Sequence, residues 1–277
     1  MRKILTSFLI LTLLAGVSYA DTLKVGILSK LNMTEEEYTQ FIAAGRQARA
    51  WNFFTSKQTA PEKIEFHFFD TLLAMQLALN AGEIEEMALP EAVANYIVNA
   101  TGNYEVTSIA RTLPAYLAFG FKEGKDPELV KQFNDAILSM KEDGALAVLY
   151  AKYIYDAGIG DPEAVSFRNF PNVDKTITIA VTGDLPPIDY VDAEGFAAGF
   201  NTAVIAEIGR RLKVNINLVN IDAGARAATL ASERADAVFW IQGHRDVKKH
   251  SDIPSGITLS LPYYEWDEFL YIAPVKR

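Results

Sequence analysis

The chain has 277 residues, half of them hydrophobic, a formal net charge of −9 and no cysteine. The acidic balance argues against a nucleic-acid partner, because phosphate binding needs clustered Lys and Arg. The absence of cysteine excludes a disulfide framework, thiol chemistry and a lipid-anchored cysteine.

Residues 1–20 have the pattern of a cleaved secretory signal. Arg2 and Lys3 are the charged end, Ile4 to Leu14 the apolar run, and Ser18-Tyr19-Ala20 the small-residue site. The run is too short to span a bilayer comfortably, and no later stretch is longer. The mature chain is therefore expected in the periplasm.

Thr22 to Leu28 alternates as a strand, with Leu23, Val25 and Ile27 inward. After it, Thr34 followed by Glu35, Glu36 and Glu37 opens a helix, with acids where the dipole favours them. Ile64 to Phe68 is the next strand, and Asp70 to Asn80 a helix carrying Leu72, Leu73, Met75, Leu77 and Leu79, ended at Gly82. A strand over 84–88, Leu89-Pro90-Glu91 and a helix over 92–99 follow. Val106 to Ile109 and Tyr116 to Phe121 read as strands. Asp126-Pro127-Glu128 starts a helix with Leu129, Val130, Phe133, Ile137, Leu138 and Met140 on its buried face, and Ala145 to Ile154 a shorter one. Residues 157–174, with glycines, prolines and little periodicity, form a linker.

Beyond the linker, Ile177, Ile179 and Val181 alternate with polar or small residues as a strand. A polar loop, Thr182-Gly183-Asp184, leads into Pro186-Pro187, and Tyr190-Val191 permits a second short strand. Asn201 is placed to cap a helix over 202–212, bearing Val204, Ile205, Ile208 and Leu212 on one face. A strand over 214–219, an Ala-rich helix to Arg234, the strand Ala235 to Val238 and Ser260-Leu261-Pro262-Tyr263-Tyr264 complete the pattern. Residues 76–87 and 228–238 form a weak repeat: helix, small turn and acid-bearing strand.

The stretch VTGDLPPIDY…GFAAGFN (181–201) resembles the opening strand, loop and helix of type 2 periplasmic solute-binding proteins, family 3, the amino-acid branch. The stretch AFGFKEGKDPELVKQFNDAILSMKEDGALAVLYAKYI (118–154) resembles the segment that closes those proteins. The resemblance covers nearly the whole mature chain, with its halves in reversed order. It implies an α/β, two-lobed type 2 periplasmic-binding-protein fold with its halves permuted. Residues 22–116 would be the family's second lobe, 117–156 the crossover strand and closing helices, 157–174 the join, and 175–277 the first lobe. Circular permutation is the simpler account, since ends that lie close together can be joined. The alternative is a fragment of tandem domains that swaps halves in a dimer. A monomer is expected from the permuted reading.

The resemblance also implies a function: capture of a small polar solute, an amino acid or related zwitterion, for the membrane permease of an ABC-type importer. Family members hold the ligand carboxylate with arginine and its ammonium with aspartate, and this sequence departs at both places. Arg245 could supply the guanidinium, or be a solvated loop arginine. Trp240 and Gln242 follow a strand end; Trp240 is either a stacking wall or a core aromatic. Glu91 stands near the place of the ammonium-binding aspartate, with a register shift of one, and could equally be an ordinary helix-start acid. Asp184 and Tyr190 are candidates in the first loop. Ser29, Asn32 and Thr34 could offer hydroxyl, amide and backbone N–H groups to an anion at a helix start.

Cofactors and metals are not expected. His67, His244 and His250 lack metal-ligand spacing, and no nucleophile elbow or phosphate loop occurs. Two other readings remain: an interaction module that has lost its ligand, and a dehydratase of the wider superfamily using Glu91 or Asp184 as its one carboxylate.

Overall fold

The computed structural model describes residues 22–29, 63–159, 164–243 and 253–275. The expected signal segment, the helix begun near Thr34, and Asn32, Arg245, His244 and His250 lie outside them. Among the described residues, strands β1 (Thr22–Leu28), β2 (Lys63–Phe69), β3 (Glu86–Pro90), β4 (Tyr104–Lys122), β5 (Thr176–Val181), β9 (Asn215–Asn220), β10 (Ala237–Gly243), β11 (Ile257–Leu259) and β12 (Tyr264–Pro274) make one sheet. Its order is β2-β1-β3-β12-β4-β10-β5-β9, with β11 on the flank of β4.

The two ends of this sheet are parallel and its middle is antiparallel. β1 pairs in parallel with β2 and β3, and β5 with β9 and β10; the helix Phe200–Leu212 links β5 to β9, as a parallel pair requires a crossover. β12 and β4 pair antiparallel along most of their length. β12 also pairs with β3 at one end, and β4 with β10 at the other. These two long strands therefore bind an N-terminal half, β1–β3, to a C-terminal half, β5, β9 and β10. What the sequence divides into strands at 106–109 and 116–121 is a single strand of 19 residues.

Helix α1 (Leu72–Ala81) starts where the Thr71 side chain accepts from the Ala74 N–H, and ends at Gly82 in the left-handed region. It lies so close to β1 that a Cβ on Gly26 would sit 2.5 Å from Ile84 Cδ1 and 2.8 Å from Met75 Cγ. Met75 and Leu79 face the sheet, whereas Leu73 and Leu77 are exposed. Helix α2 (Glu91–Thr101) follows β3 directly.

Helix α3 (Pro127–Glu142) is capped by Asp126, whose carboxylate accepts from the Leu129 N–H. Its buried face is Leu129, Phe133, Ala136, Ile137 and Met140; Leu138, read as buried, is exposed. Phe133 meets Phe119 edge-on at 5.3 Å and Phe121 at 5.2 Å, and Phe119 stacks on Tyr263 at 4.8 Å. This aromatic cluster joins α3 to the sheet. Helix α4 (Ala145–Tyr150) runs into a π-helical turn, Ala151–Tyr155, in place of the single helix expected.

In the C-terminal half, a three-stranded sheet of β6 (Asp184–Leu185), β7 (Asp189–Val191) and β8 (Ala197–Ala198) forms the loop after β5. Helix α5 (Phe200–Leu212) begins two residues before the expected start. Gly199 takes the cap position with φ +94°, and a Cβ there would lie 2.5 Å from Pro187 O, so only glycine fits. Asn201 is thus inside the helix, and its side chain does something other than capping. A 3₁₀ turn, Ala223–Ala225, precedes helix α6 (Arg226–Ala231). No helix among the described residues is long and apolar enough to cross a membrane.

Candidate functional site

The loop after β5 sits on a fully buried carboxylate. Asp189 Oδ2 accepts from the Thr182 N–H at 2.8 Å, the Thr182 hydroxyl at 3.0 Å and the Gly183 N–H at 2.9 Å. Its Oδ1 accepts from Asn201 Nδ2 at 3.0 Å, and Asn201 Oδ1 accepts from the Tyr263 hydroxyl at 2.7 Å. This is why Asn201 does not cap: its amide bridges two buried groups. Arg226 is also buried, over the Phe239 ring at 5.7 Å. Burial lowers its guanidinium to about 10, against the opposing pull of the Asp189 charge. Tyr263 is raised well above the usual phenol range, first by burial and then by Asp189. Asp189, Thr182, Gly183, Asn201 and Tyr263 thus form one hydrogen-bonded network beneath the loop, as the burial of a carboxylate demands.

Above this support Asp184 and Tyr190 are brought together. They are directly paired across β6 and β7, and both line a cavity of about 1030 Å³ between the two halves of the molecule. The N-terminal half supplies Thr71, Leu72, Leu73 and Gln76 from the start of α1, and Tyr96 from α2. Tyr96 and Tyr190 approach across the gap with ring centroids 6.3 Å apart. The Tyr190 phenol is pushed up to about 12 by burial, Tyr96 and Asp192, so it stays a neutral donor at neutral pH. Among the described residues lining the cavity are three carboxylates, Asp184, Asp192 and Glu194, and no lysine or arginine. The described lining is a carboxylate edge over aromatic and aliphatic walls.

Three of the other candidates, Glu91, Trp240 and Ser29, lie elsewhere. Glu91 opens α2 away from this cavity, and its carboxyl is raised, first by burial and then by Glu268 and Asp267. Its charge is felt by Tyr150 and Tyr264, whose rings are 5.8 Å apart. Trp240 is 1% exposed, and a Cβ on Gly120 would lie 3.0 Å from its ring. It is packed in the core rather than walling the cavity. Ser29 is exposed, and its N–H is given to Phe69 O at 2.9 Å. The Gln242 backbone pairs with Tyr116 in the β10–β4 ladder; its side chain lies outside the described residues, as do Asn32, Thr34 and Arg245. The Asp189–Asn201–Tyr263 support escaped the sequence reading, although an aspartate between Ile188 and Tyr190 in an apolar run was the available signal.

Residues 177–246 match the family described as bacterial extracellular solute-binding proteins, family 3. The resemblance to family 3 stands. The matched segment opens with β5, contains the Asp184–Tyr190 loop and its Asp189 support, and reaches the end of β10. The mixed α/β architecture is the one that family implies. No curated protein matches the sequence. Among solved structures, the ligand-binding component of an ABC-type import system from Staphylococcus aureus, with zinc bound, aligns at 11% identity and TM-score 0.42, covering 91% of this chain and 66% of that one. The chain therefore spans just under two thirds of that relative. The methionine-binding protein MetQ aligns at 11% identity and TM-score 0.44, over 92% and 83% of the two chains. The GluR0 ligand-binding core in complex with L-glutamate aligns at 11% identity and TM-score 0.46, over 94% and 87%.

Proposed function

We propose that this protein is an extracytoplasmic solute-binding protein that captures a small solute bearing an ammonium group, an amino acid or related zwitterion, and delivers it to the permease of an ABC-type importer. One observation carries the reading: a cavity between the two halves, about 1030 Å³ in volume, with Asp184 and Tyr190 on one side and Tyr96 and the start of α1 on the other. The family 3 match over the loop that forms one of its walls supports it. Asp184 pairs with the ammonium, Tyr190 and Tyr96 cover its aliphatic part, and Tyr190 donates a hydrogen bond from a phenol that does not ionise. We further propose that the two lobes follow the permuted order read from the sequence, with 157–174 as the join.

A thermal-shift panel of L-lysine, putrescine, L-alanine and L-glutamate tests this. A ligand at a hundredfold excess over its Kd adds about 2.7 kcal/mol of stability. Stabilisation by an amine-bearing member, lost in Asp184→Asn, is the expected result. Stabilisation by L-glutamate that is indifferent to Asp184→Asn would place the site elsewhere. No response to any member of the panel would favour an interaction module over a transport component.

A further inference from the structure

The loop that carries Asp184 and Tyr190 is supported by a residue from outside the family match, which ends at residue 246. Tyr263 lies between β11 and β12, 62 residues beyond Asn201 in the chain. Its short segment is clamped on several sides. The Ser260 N–H donates to Phe119 O of β4 at 2.8 Å, and Ser260 Oγ accepts from the Phe119 N–H at 2.9 Å. α3 adds two bonds: Asn134 Oδ1 accepts from the Leu261 N–H, and Lys141 Nζ donates to Pro262 O, both at 2.7 Å. The Tyr263 N–H donates to Leu117 O at 3.0 Å, and its ring stacks on Phe119 at 4.8 Å. Backbone and ring are thus held by contacts independent of the hydroxyl. A buried tyrosine hydroxyl needs a hydrogen-bond partner, and this one donates to Asn201 Oδ1 at 2.7 Å.

An amide held in this way is not free to turn. With Oδ1 committed to Tyr263, Asn201 presents Nδ2 to Asp189 Oδ1 at 3.0 Å, the sense that an ionised carboxylate requires. The other oxygen of Asp189 accepts from Thr182 and Gly183. Asp184 follows Gly183 directly in the chain, and Tyr190 follows Asp189. Both cavity residues are therefore immediate neighbours of groups in the network. We infer that Tyr263 is a positioning residue for the cavity: through Asn201 and Asp189, its hydroxyl sets where the loop holds Asp184 and Tyr190. Tyr263 is not among the described residues that line the cavity, so it acts through the loop and not on a solute. Burial, and then the Asp189 charge, raises its phenol well above the usual range, so it remains a donor at neutral pH. The consequence for solute affinity rests on the cavity being the solute site; the control of the loop does not.

The first arm of the test uses no solute. Tyr263→Phe removes the hydroxyl and keeps the ring on Phe119. Tyr264→Phe is the control, because it removes a hydroxyl one residue on, outside the bonds described above, and keeps a ring that packs on Phe200 and Trp266. In amide NMR spectra of the full chain, the signals of Thr182, Gly183, Asp184 and Tyr190 should move in Tyr263→Phe and stay in place in Tyr264→Phe. Asn201→Ala removes the bridge itself and should move the same signals, which keeps the test decisive if Tyr263→Phe does not fold. In the second arm, any member of the thermal-shift panel whose affinity depends on Asp184 should bind Tyr263→Phe about tenfold more weakly, the worth of one hydrogen bond. Unmoved signals in folded Tyr263→Phe, or in Asn201→Ala where only that variant folds, would overturn the inference, as would Asp184-dependent binding of undiminished affinity. If no panel member binds, the reading of the cavity as the solute site fails, while the amide signals still decide whether Tyr263 sets the loop.

Discussion

Glu91 stands at the first position of α2, where the helix dipole favours a carboxylate, yet its carboxyl is raised rather than lowered. Burial outweighs the dipole, and Glu268 and Asp267 add repulsion. A carboxyl raised on folding is better protonated in the native state than in the unfolded one. Its stabilising effect is therefore complete at pH below the ordinary carboxylate range and is lost as pH rises through the raised value. Glu91→Gln, neutral at every pH, should flatten this part of the pH–stability profile and raise stability above the transition relative to the parent. Urea denaturation at intervals from acid to neutral pH measures it; an unchanged profile would mean that neither burial nor the two neighbouring acids raise the Glu91 carboxyl. At this scale the sequence was partly legible. Asp184 and Tyr190 could be named because a loop at the carboxyl end of a strand projects its polar groups. Leu73, Leu77 and Leu138 look like core residues by type, but the face that a helix presents depends on which strand it covers, and the exposed leucines lie on the other side.

The loop after β5 behaves as an element only because Asp189 holds its ends. The carboxylate accepts from Thr182, Gly183 and Asn201 and opposes the charge of Arg226. Removing one member of a buried charged group leaves the others uncompensated and usually costs about 3–5 kcal/mol. Asp189→Ala should lower stability by that order in a urea titration and weaken any solute bound at Asp184. Asp189→Asn, which keeps the shape and loses the charge, should fall between. Loss of binding with no loss of stability would put Asp189 at the ligand rather than beneath it. Many strands and helices were read from periodicity within a few residues of their bounds, but β4 was divided in two, α4 and its π turn were read as one helix, and β10 was ended five residues early. The support of the loop was not read, because Arg226 and Tyr263 reach Asp189 only through the topology of the sheet, and no local pattern records that.

At the scale of the whole molecule, every strand of the sheet finds its neighbours within one chain: β12 fills the gap between β3 and β4, and β10 that between β4 and β5. The prediction is a monomer in solution. Light scattering on the eluted protein should give a single-chain mass, no greater than the 30.6 kDa of the full sequence, at all loading concentrations. A dimer that persists on dilution, with halves exchanged between copies, would favour a swapped fragment over the permuted order we propose. The α/β class was legible because the stretch over 181–201, inside the family match, keeps its strand–loop–helix pattern. The packing of the join was not legible, since 157–174 has no periodicity and the contacts of its described residues, Gly158 on α2 and Phe170 on Asn215 of β9, are long-range.

The position of β12 has a consequence in time. It pairs with β3 through Phe269–Ile272 and with β4 from Tyr264 to Pro274, yet those partners are made early in synthesis and β12 late. Until it arrives, β3 and the first part of β4 present unsatisfied edges, and closing that separation carries the loop-entropy cost that slows non-local pairing. A growing chain therefore has no complete N-terminal half to settle into. The sheet of the N-terminal half is completed only when β12 arrives, near the end of synthesis.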